Sequence, residues 1–388
     1  MVQNTVLETV LPPSPTQAPA ADEAGPLSLA INGRFLTRPM TGVDRVASEL
    51  TKALNADKVA NSIRFLMPQE PKALPENMAS ALSDCTFTEA PRSTGHLWEQ
   101  YTMPRMASQQ EWLLNLCNTG PITHKRQACM IHDAQFITQA ESYSWKFRTL
   151  YRALMPRLAA QADVLLTVSE FSRLELEKLG VFPKDKAIVV HNGCDHMDHI
   201  QAAPDALAQY NLELNGYFMV LGSRAAHKNL EMVLQVANES DLDIPIAVVG
   251  GGSKDVFKSI GITDSPRIKI LGRVEDEALK TLLAGARALL FPSKTEGFGL
   301  PPLEAMRCGC PVVATTGGAV PEVCGGAPIY ADPDKPQAWA EAMRHLLDTP
   351  EALDELRQKG TARAAQFTWA AAAKRITDTL RAADMARP

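Results

Sequence analysis

Glu296 and Glu304 stand eight positions apart in Phe291-Pro-Ser-Lys-Thr-Glu-Gly-Phe-Gly-Leu-Pro-Pro-Leu-Glu-Ala-Met306. The apolar run 288–291 reads as a strand, Gly297 and Gly299 allow a tight turn, and Pro301 and Pro302 open a helix. The amides of Gly299 and Leu300 and the positive end of that helix then suit an anion such as a diphosphate. One carboxylate falls on the loop and the other in the first helical turn, so the two can touch different parts of one ligand. The plainer alternative is two exposed acids on an unrelated strand-loop-helix turn. In Tyr217-Phe-Met-Val-Leu-Gly-Ser-Arg-Ala-Ala-His-Lys-Asn-Leu230 a strand ending at Gly222 delivers Arg224 and Lys228 to its carboxyl end. Two cations there suit a diphosphate that gains charge as it leaves; a solvated basic loop is the alternative.

Elements that could position these groups recur along the chain. Short apolar runs at 27–31, 63–67, 113–116, 128–131, 164–168 and 187–190 alternate with helix-period segments. A second series follows at 217–221, 244–249, 268–271, 288–291, 311–314 and 328–330. Such alternation argues for an α/β protein with two parallel, doubly wound sheets, whose ligands bind beyond the carboxyl ends of the strands in the cleft between them. The polar stretch around 201–216 divides the series. The expected organisation is a flexible Pro-rich tail at 1–26, a Rossmann-like unit at 27–205, a second at 206–366, and a helix at 367–388. After residue 332 the text is helical, with amphipathic stretches at 338–347 and 351–358.

The 388 residues are 45% hydrophobic and 21% charged, which fits a folded, two-domain chain and excludes a mostly disordered or coiled-coil one. The 39 basic and 44 acidic side chains leave a net charge of −5, so no global positive field exists to hold nucleic acid. Seven scattered cysteines without a CxxC pair fit a reducing cytoplasm. The start of the chain lacks the basic, apolar pattern of a signal peptide, and no run approaches the about 20 apolar residues of a membrane span.

The Thr-Glu-Gly-Phe-Gly-Leu-Pro-Pro-Leu-Glu-Ala segment resembles the signature of retaining family 4 glycosyltransferases, which have the two-domain GT-B fold and use a nucleotide-sugar donor. The resemblance extends over about 29–382. It implies that Arg224 and Lys228 are the family's basic pair, that Gly222 ends the strand before them, and that the loop Glu296, Gly297, Phe298, Gly299, Leu300 with Glu304 holds the donor. It implies that the backbone near Val274 receives the base and that Val248-Val-Gly-Gly-Gly-Ser253 lies near the nucleotide. The loop Thr315-Thr-Gly-Gly-Ala-Val-Pro-Glu322 lies beneath the donor. In the first half, Gly42 approaches the donor phosphate, where only glycine lets backbone come so close. His132 maps to the active-site histidine beside the donor sugar. Val168-Ser-Glu-Phe-Ser-Arg173 and Val189-Val-His-Asn-Gly-Cys-Asp195 resemble strand-end motifs with mainly architectural roles, and Phe367-Thr-Trp-Ala370 resembles the start of a last helix that crosses back to the first domain.

The expected catalytic set is His132, Glu296, Arg224 and Lys228. Donor contacts come from Gly42, Gly222, Arg224, Lys228, Val274, Glu296 to Leu300 and Glu304, with no metal and no cofactor. His191, His196 and His199 with Asp195 and Asp198 could suggest a metal cluster, but no cysteine motif accompanies them, and GT-B enzymes typically need no metal. Ile31-Asn-Gly-Arg and Thr41-Gly-Val-Asp-Arg near the start, His132-Asp133 and Asn192-Gly-Cys-Asp-His196 look most like bacterial polysaccharide mannosyltransferases, implying GDP-mannose and a lipid-linked saccharide acceptor of exopolysaccharide or O-antigen synthesis. UDP-glucose, UDP-N-acetylglucosamine or a deoxysugar donor fits the same motifs. A nucleotide-sugar 2-epimerase or a non-catalytic nucleotide-sugar-binding protein are the readings from other classes. Residues 144–162 contain no acid and combine Lys146, Arg148, Arg152 and Arg157 with Trp145, Phe147 and Leu150. That basic amphipathic stretch, interrupted by Pro156, either packs on the core or rests on anionic lipid at the inner face of the cell membrane.

Overall fold

A computed structural model describes residues 27–56, 60–69, 76–90, 95–139, 144–222, 225–239, 242–250 and 266–387. The expected tail at 1–26 lies outside the described residues. Fully buried four-residue strands such as Trp112–Asn115 and Val164–Thr167 need apolar side chains on both faces, which is why they read as continuous runs. The first half carries β1 (Leu27–Asn32), β2 (Ala60–Met67), β3 (Thr86–Glu89), β4 (Trp112–Asn115), β5 (Gln127–Met130), β6 (Val164–Thr167) and β7 (Ala187–Val189). They form one parallel sheet in the order β3-β2-β1-β4-β5-β6-β7. The second half carries β8 (Phe218–Leu221), β9 (Ile246–Val249), β10 (Ile268–Gly272), β11 (Ala288–Phe291), β12 (Val312–Thr315) and β13 (Ile329–Ala331), ordered β10-β9-β8-β11-β12-β13. Each order reverses once, between β1 and β4 and between β8 and β11, and those switch points are where a doubly wound sheet opens a crevice.

Three differences from the sequence expectation have local causes. The edge strand β3 goes unseen in the sequence because its four residues are all at least partly exposed; it is fixed by pairing with β2 and by Phe87, stacked on Phe65 with centroids 4.9 Å apart. The strands expected from 244, 311 and 328 begin at Ile246, Val312 and Ile329, because each run carries a proline at or near its start, which has no N–H for the ladder. Pro156 does not interrupt the basic stretch: one helix spans Trp145–Gln161, and its buried face of Tyr151, Leu154, Met155, Leu158 and Ala159 holds both sides of the proline on the core.

The last helix, Trp369–Met385, starts with Thr368 accepting from Ala371 N and packs on the first-half helix Gly42–Ala56. Its far end is tied to the first sheet by Asp384, which accepts from Trp112 Nε1 and Arg126 Nη2, each at 3.0 Å. A single buried apolar cluster runs between the halves through Cys194, Met197, Phe298, Phe367 and Trp369. Among the described residues no helix is long and apolar enough to cross a membrane.

Candidate functional site

The chain leaving β11 turns at Gly299, whose φ of 96° is left-handed and favours glycine, into the helix Leu300–Arg307. Pro301 and Pro302 carry no N–H, so the free donors at this helix end are concentrated in the Gly299 and Leu300 amides. Glu296 lies on the loop before it. Its Oε1 accepts from Lys228 Nζ at 2.7 Å, and that ammonium also lies 5.7 Å from the Phe291 ring centroid. Lys228 ends a short turn, Ala226–Lys228, after β8, and the turn is fixed to the β11 loop. Lys294 N donates to His227 O at 2.7 Å, and Asn229 Nδ2 donates to the Pro292 and Pro333 carbonyls. The two strands of the second switch point thus bring one cation and one carboxylate together. Arg224, expected as the other cation, lies outside the described residues, as does the 251–253 part of the glycine-rich strand end.

First-half residues meet this loop from across the cleft. Gly297 O accepts from Ser169 Oγ at 2.6 Å and Ser172 Oγ at 2.9 Å, at the start of the helix Glu170–Lys178. A Cβ on Gly297 would stand 2.7 Å from Asp133 Cβ and 3.0 Å from His132 O, so no larger residue fits there. His132 follows β5. Its Nε2 donates to Leu116 O at 2.8 Å, which leaves Nδ1 as the acceptor, and burial holds its basicity below the ordinary imidazole range although the Leu116 carbonyl opposes this. Burial likewise raises the Asp133 carboxyl, the nearby Glu296 charge adds to it, and the result is pushed up to about 6 against the opposing Gln135 amide.

Glu304 is buried in the first turn of its helix, and its Oε1 lies 3.1 Å from His196 Nε2. Gly42 is exposed at the start of its helix, and a Cβ there would meet no protein atom within 4 Å, so packing does not explain the glycine. Gly222 packs on Leu230, and Val274 is half-buried just before the helix Asp276–Gly285. Asp276 in turn accepts from Arg45 Nη2 at 2.8 Å, a direct link between the halves beside the expected base site. Phe298 lies on the same loop. Its ring is buried with centroids 6.1 Å from both His191 and Phe367, so the side chain packs the halves together and only its backbone borders the loop.

Several residues that the sequence reads as architectural, or not at all, hold this geometry. Ser169 and Ser172 grip the loop at Gly297. Glu322, from the loop 315–322, accepts from the amides of Glu170 and Phe171 at 2.9 and 3.0 Å and lies 3.0 Å from His191 Nε2. Burial raises its carboxyl, but the His191 and amide bonds win and hold it below the usual range. Of the residues weighed as a metal cluster, His191 faces Glu322, His196 faces Glu304, Asp195 accepts from Trp369 N at 2.8 Å, and Asp198 binds Arg307.

Comparison with known proteins follows the same division of the chain. The family described as "Glycosyltransferase Family 4" matches residues 40–197, and "Glycosyl transferases group 1" matches 216–349. The O-antigen chain mannosyltransferase B of Escherichia coli is 31% identical over 361 residues, covering 85% of this chain and 93% of the relative. The O-antigen chain mannosyltransferase RfbU of Salmonella typhimurium is 24% identical over 233 residues, 59% of this chain and 63% of that one. Among solved structures, a sucrose-phosphate synthase of Thermosynechococcus elongatus superposes with a TM-score of 0.70 at 17% identity, covering 93% of this chain and all of the other. HepE of Anabaena, solved with UDP and glucose, gives 0.71 at 16% identity, covering 91% and 99%. The last two likenesses are of fold: two Rossmann-like domains facing across a cleft, the GT-B arrangement.

Proposed function

Because this chain belongs to the family 4 glycosyltransferases, we propose that it moves mannose from GDP-mannose to a lipid-linked saccharide of bacterial polysaccharide synthesis, with retention and without a metal ion. The observation that carries this reading is the Lys228–Glu296 pair beside the Gly299–Leu300 amides, at the second switch point and within reach of His132 and Asp133.

In this reading Lys228 and Arg224 neutralise the diphosphate, and the amides of Gly299 and Leu300 donate to its oxygens, where charge grows as the glycosyl bond breaks. Those cations and the helix end supply the positive charge a metal would otherwise bring. Glu296 accepts from hydroxyls of the transferred sugar, Glu304 from those of the ribose, and the backbone near Val274 meets the base. Gly42 lets the first-half backbone approach the phosphates. His132, with Nδ1 as acceptor, lies beside the sugar, and the acceptor hydroxyl enters over the first domain and attacks from the leaving-group face. Mannose is supported by the mannosyltransferase relatives. A thermal-shift panel of GDP-, UDP- and dTDP-sugars tests the donor, since a ligand at 100 times its dissociation constant adds about 2.7 kcal/mol. Stabilisation by GDP-mannose alone is expected, and stabilisation only by a UDP- or dTDP-sugar would overturn the mannose assignment.

A lipid-linked acceptor requires reach to a bilayer, and we place the enzyme at the cytoplasmic face of the cell membrane. On the acid-free helix Trp145–Gln161, Trp145 is 69% and Leu150 42% exposed, and Lys146 Nζ lies 5.8 Å from the Trp145 ring. Exposed aromatic and apolar groups flanked by cations suit an anionic headgroup layer. Sedimentation with phosphatidylglycerol vesicles, lost in a Trp145→Ala, Lys146→Ala variant, is the expected result; equal binding by both proteins would remove this part of the proposal.

A further inference from the structure

The segment 193–196, the start of the last helix and the helix Leu300–Arg307 meet in one buried contact. Trp369 N donates to Asp195 Oδ1 at 2.8 Å, Cys194 N donates to Phe367 O at 3.1 Å, and a Cβ on Gly193 would stand 2.3 Å from Trp369 N. These contacts fix the indole against His196, whose Nδ1 lies 3.1 Å from Trp369 Nε1. An indole N–H only donates, so Nδ1 accepts and the imidazole proton sits on Nε2. Nε2 lies 3.1 Å from Glu304 Oε1 and donates to it. The opposite tautomer would set a lone pair against a carboxylate. His196, Trp369 and Glu304 are all buried, so water does not replace these bonds, and the low dielectric strengthens them. Arg307, one turn further along the helix, is bound by Asp198 from the same first-half segment, with Nε 2.9 Å from Oδ1.

We propose that Trp369 and His196 are positioning residues for the donor nucleoside: Trp369 sets the tautomer of His196, and His196 Nε2–H holds Glu304 Oε1 so that Oε2 is presented to the ribose hydroxyls. The proposal rests on the reading of Glu304 as the ribose ligand. It gives the returning helix a part in donor recognition, because its first residue determines which nitrogen of His196 can donate. A contact that served only to join the two halves would have no need of a defined tautomer.

Calorimetric titration of the full chain with GDP and with 2′,3′-dideoxy-GDP tests it, using UDP and its dideoxy form if the wild type binds those instead. Wild type is expected to prefer the ribonucleotide by about ten-fold or more, the scale of a hydrogen bond to a charged group. Glu304→Ala removes that preference. His196→Phe reduces it by about ten-fold while leaving dideoxy binding within two-fold, and His196→Gln, whose amide N–H stands near the Nε2 position, restores most of it. Trp369→Phe keeps an aromatic ring but removes the N–H, is expected to weaken the preference in the same direction, and carries the test if His196→Phe does not fold. A wild-type preference in His196→Phe and Trp369→Phe, or an equal loss for both nucleotides, overturns the positioning role. A preference that survives Glu304→Ala overturns the ribose reading itself, and so the two failures are told apart.

Discussion

Lys228 Nζ and Glu296 Oε1 meet at 2.7 Å although 68 residues separate them, because β8 and β11 are neighbours at the point where the second sheet reverses its strand order. The pair gives the site a cation already oriented by a carboxylate. Truncating Lys228 removes the charge that the proposed function sets against the leaving diphosphate and also strands Glu296 without its partner.

Lys228→Ala is expected to lower kcat by about 10²–10³, equivalent to about 2–4 kcal/mol of transition-state stabilisation, by analogy with loss of one oxyanion donor. Glu296→Ala is expected to cost a similar amount, and the double variant little more than either, since residues that act together are not additive. Steady-state kinetics with the accepted donor checks this; fully additive losses would mean the two groups act separately.

Ser169 and Ser172 both donate to Gly297 O. Ser172→Ala leaves one donor and lowers stability by about 1 kcal/mol or less, whereas Ser169→Ala also removes the oxygen that accepts from Ser172 N at 3.0 Å and caps the helix, and costs about 1–2 kcal/mol. The double Ser→Ala variant leaves a buried carbonyl unpaired and costs about 1–3 kcal/mol. The donor KM is expected to rise more in the double variant than the two single rises combined. Thermal melts and donor titrations read both effects.

Glu322 joins the halves through the Glu170 and Phe171 amides and His191, and its carboxyl is held below the ordinary value. A depressed carboxyl contributes stability that is present above its unfolded value, about 4.3, and is lost as pH falls through the lower folded value. Glu322→Gln is therefore expected to melt lower than wild type at pH 7, with the gap closing below about pH 4.3. A gap that does not narrow on acidification would show that shape rather than charge is what matters there.

Asp133 has the opposite sign. Its folded value of about 6 lies above the unfolded one, so the ionised form is penalised in the fold. The penalty is present above pH 6 and fades as pH falls toward 4. Asp133→Asn, which keeps an oxygen to accept from Gln135 N, is expected to melt higher than wild type at pH 7.5 and to lose that advantage between pH 6 and 4. An advantage independent of pH would contradict the titration.

The sheets are legible in the sequence because their strands are buried on both faces and so appear as apolar runs, and the loop 296–300 is legible as a candidate site because glycine, proline and paired charges cluster within a few positions. Edge strand β3 escapes because partial exposure leaves no such run. What holds the loop is not legible for a different reason. Ser169 meets Gly297 across 128 residues, His196 meets Glu304 across 108, and Trp369 meets His196 across 173. Spacing along one chain carries no signal for contacts between its two halves. The packing of the Phe298 ring between His191 and Phe367 is hidden for the same reason, since its partners lie 107 and 69 residues away along the chain.

Retaining transfer of mannose from a guanosine diphosphate donor, at the site around Lys228 and Glu296, is the reaction we propose. The measurement closest to it is NMR of the product formed from GDP-α-mannose and a diphosphate-lipid-linked saccharide, with wild type and Lys228→Ala run in parallel. The expected result is an α-mannoside from the wild type and at least a hundred-fold less from the variant. A β-mannoside, or equal product from both proteins, would contradict it.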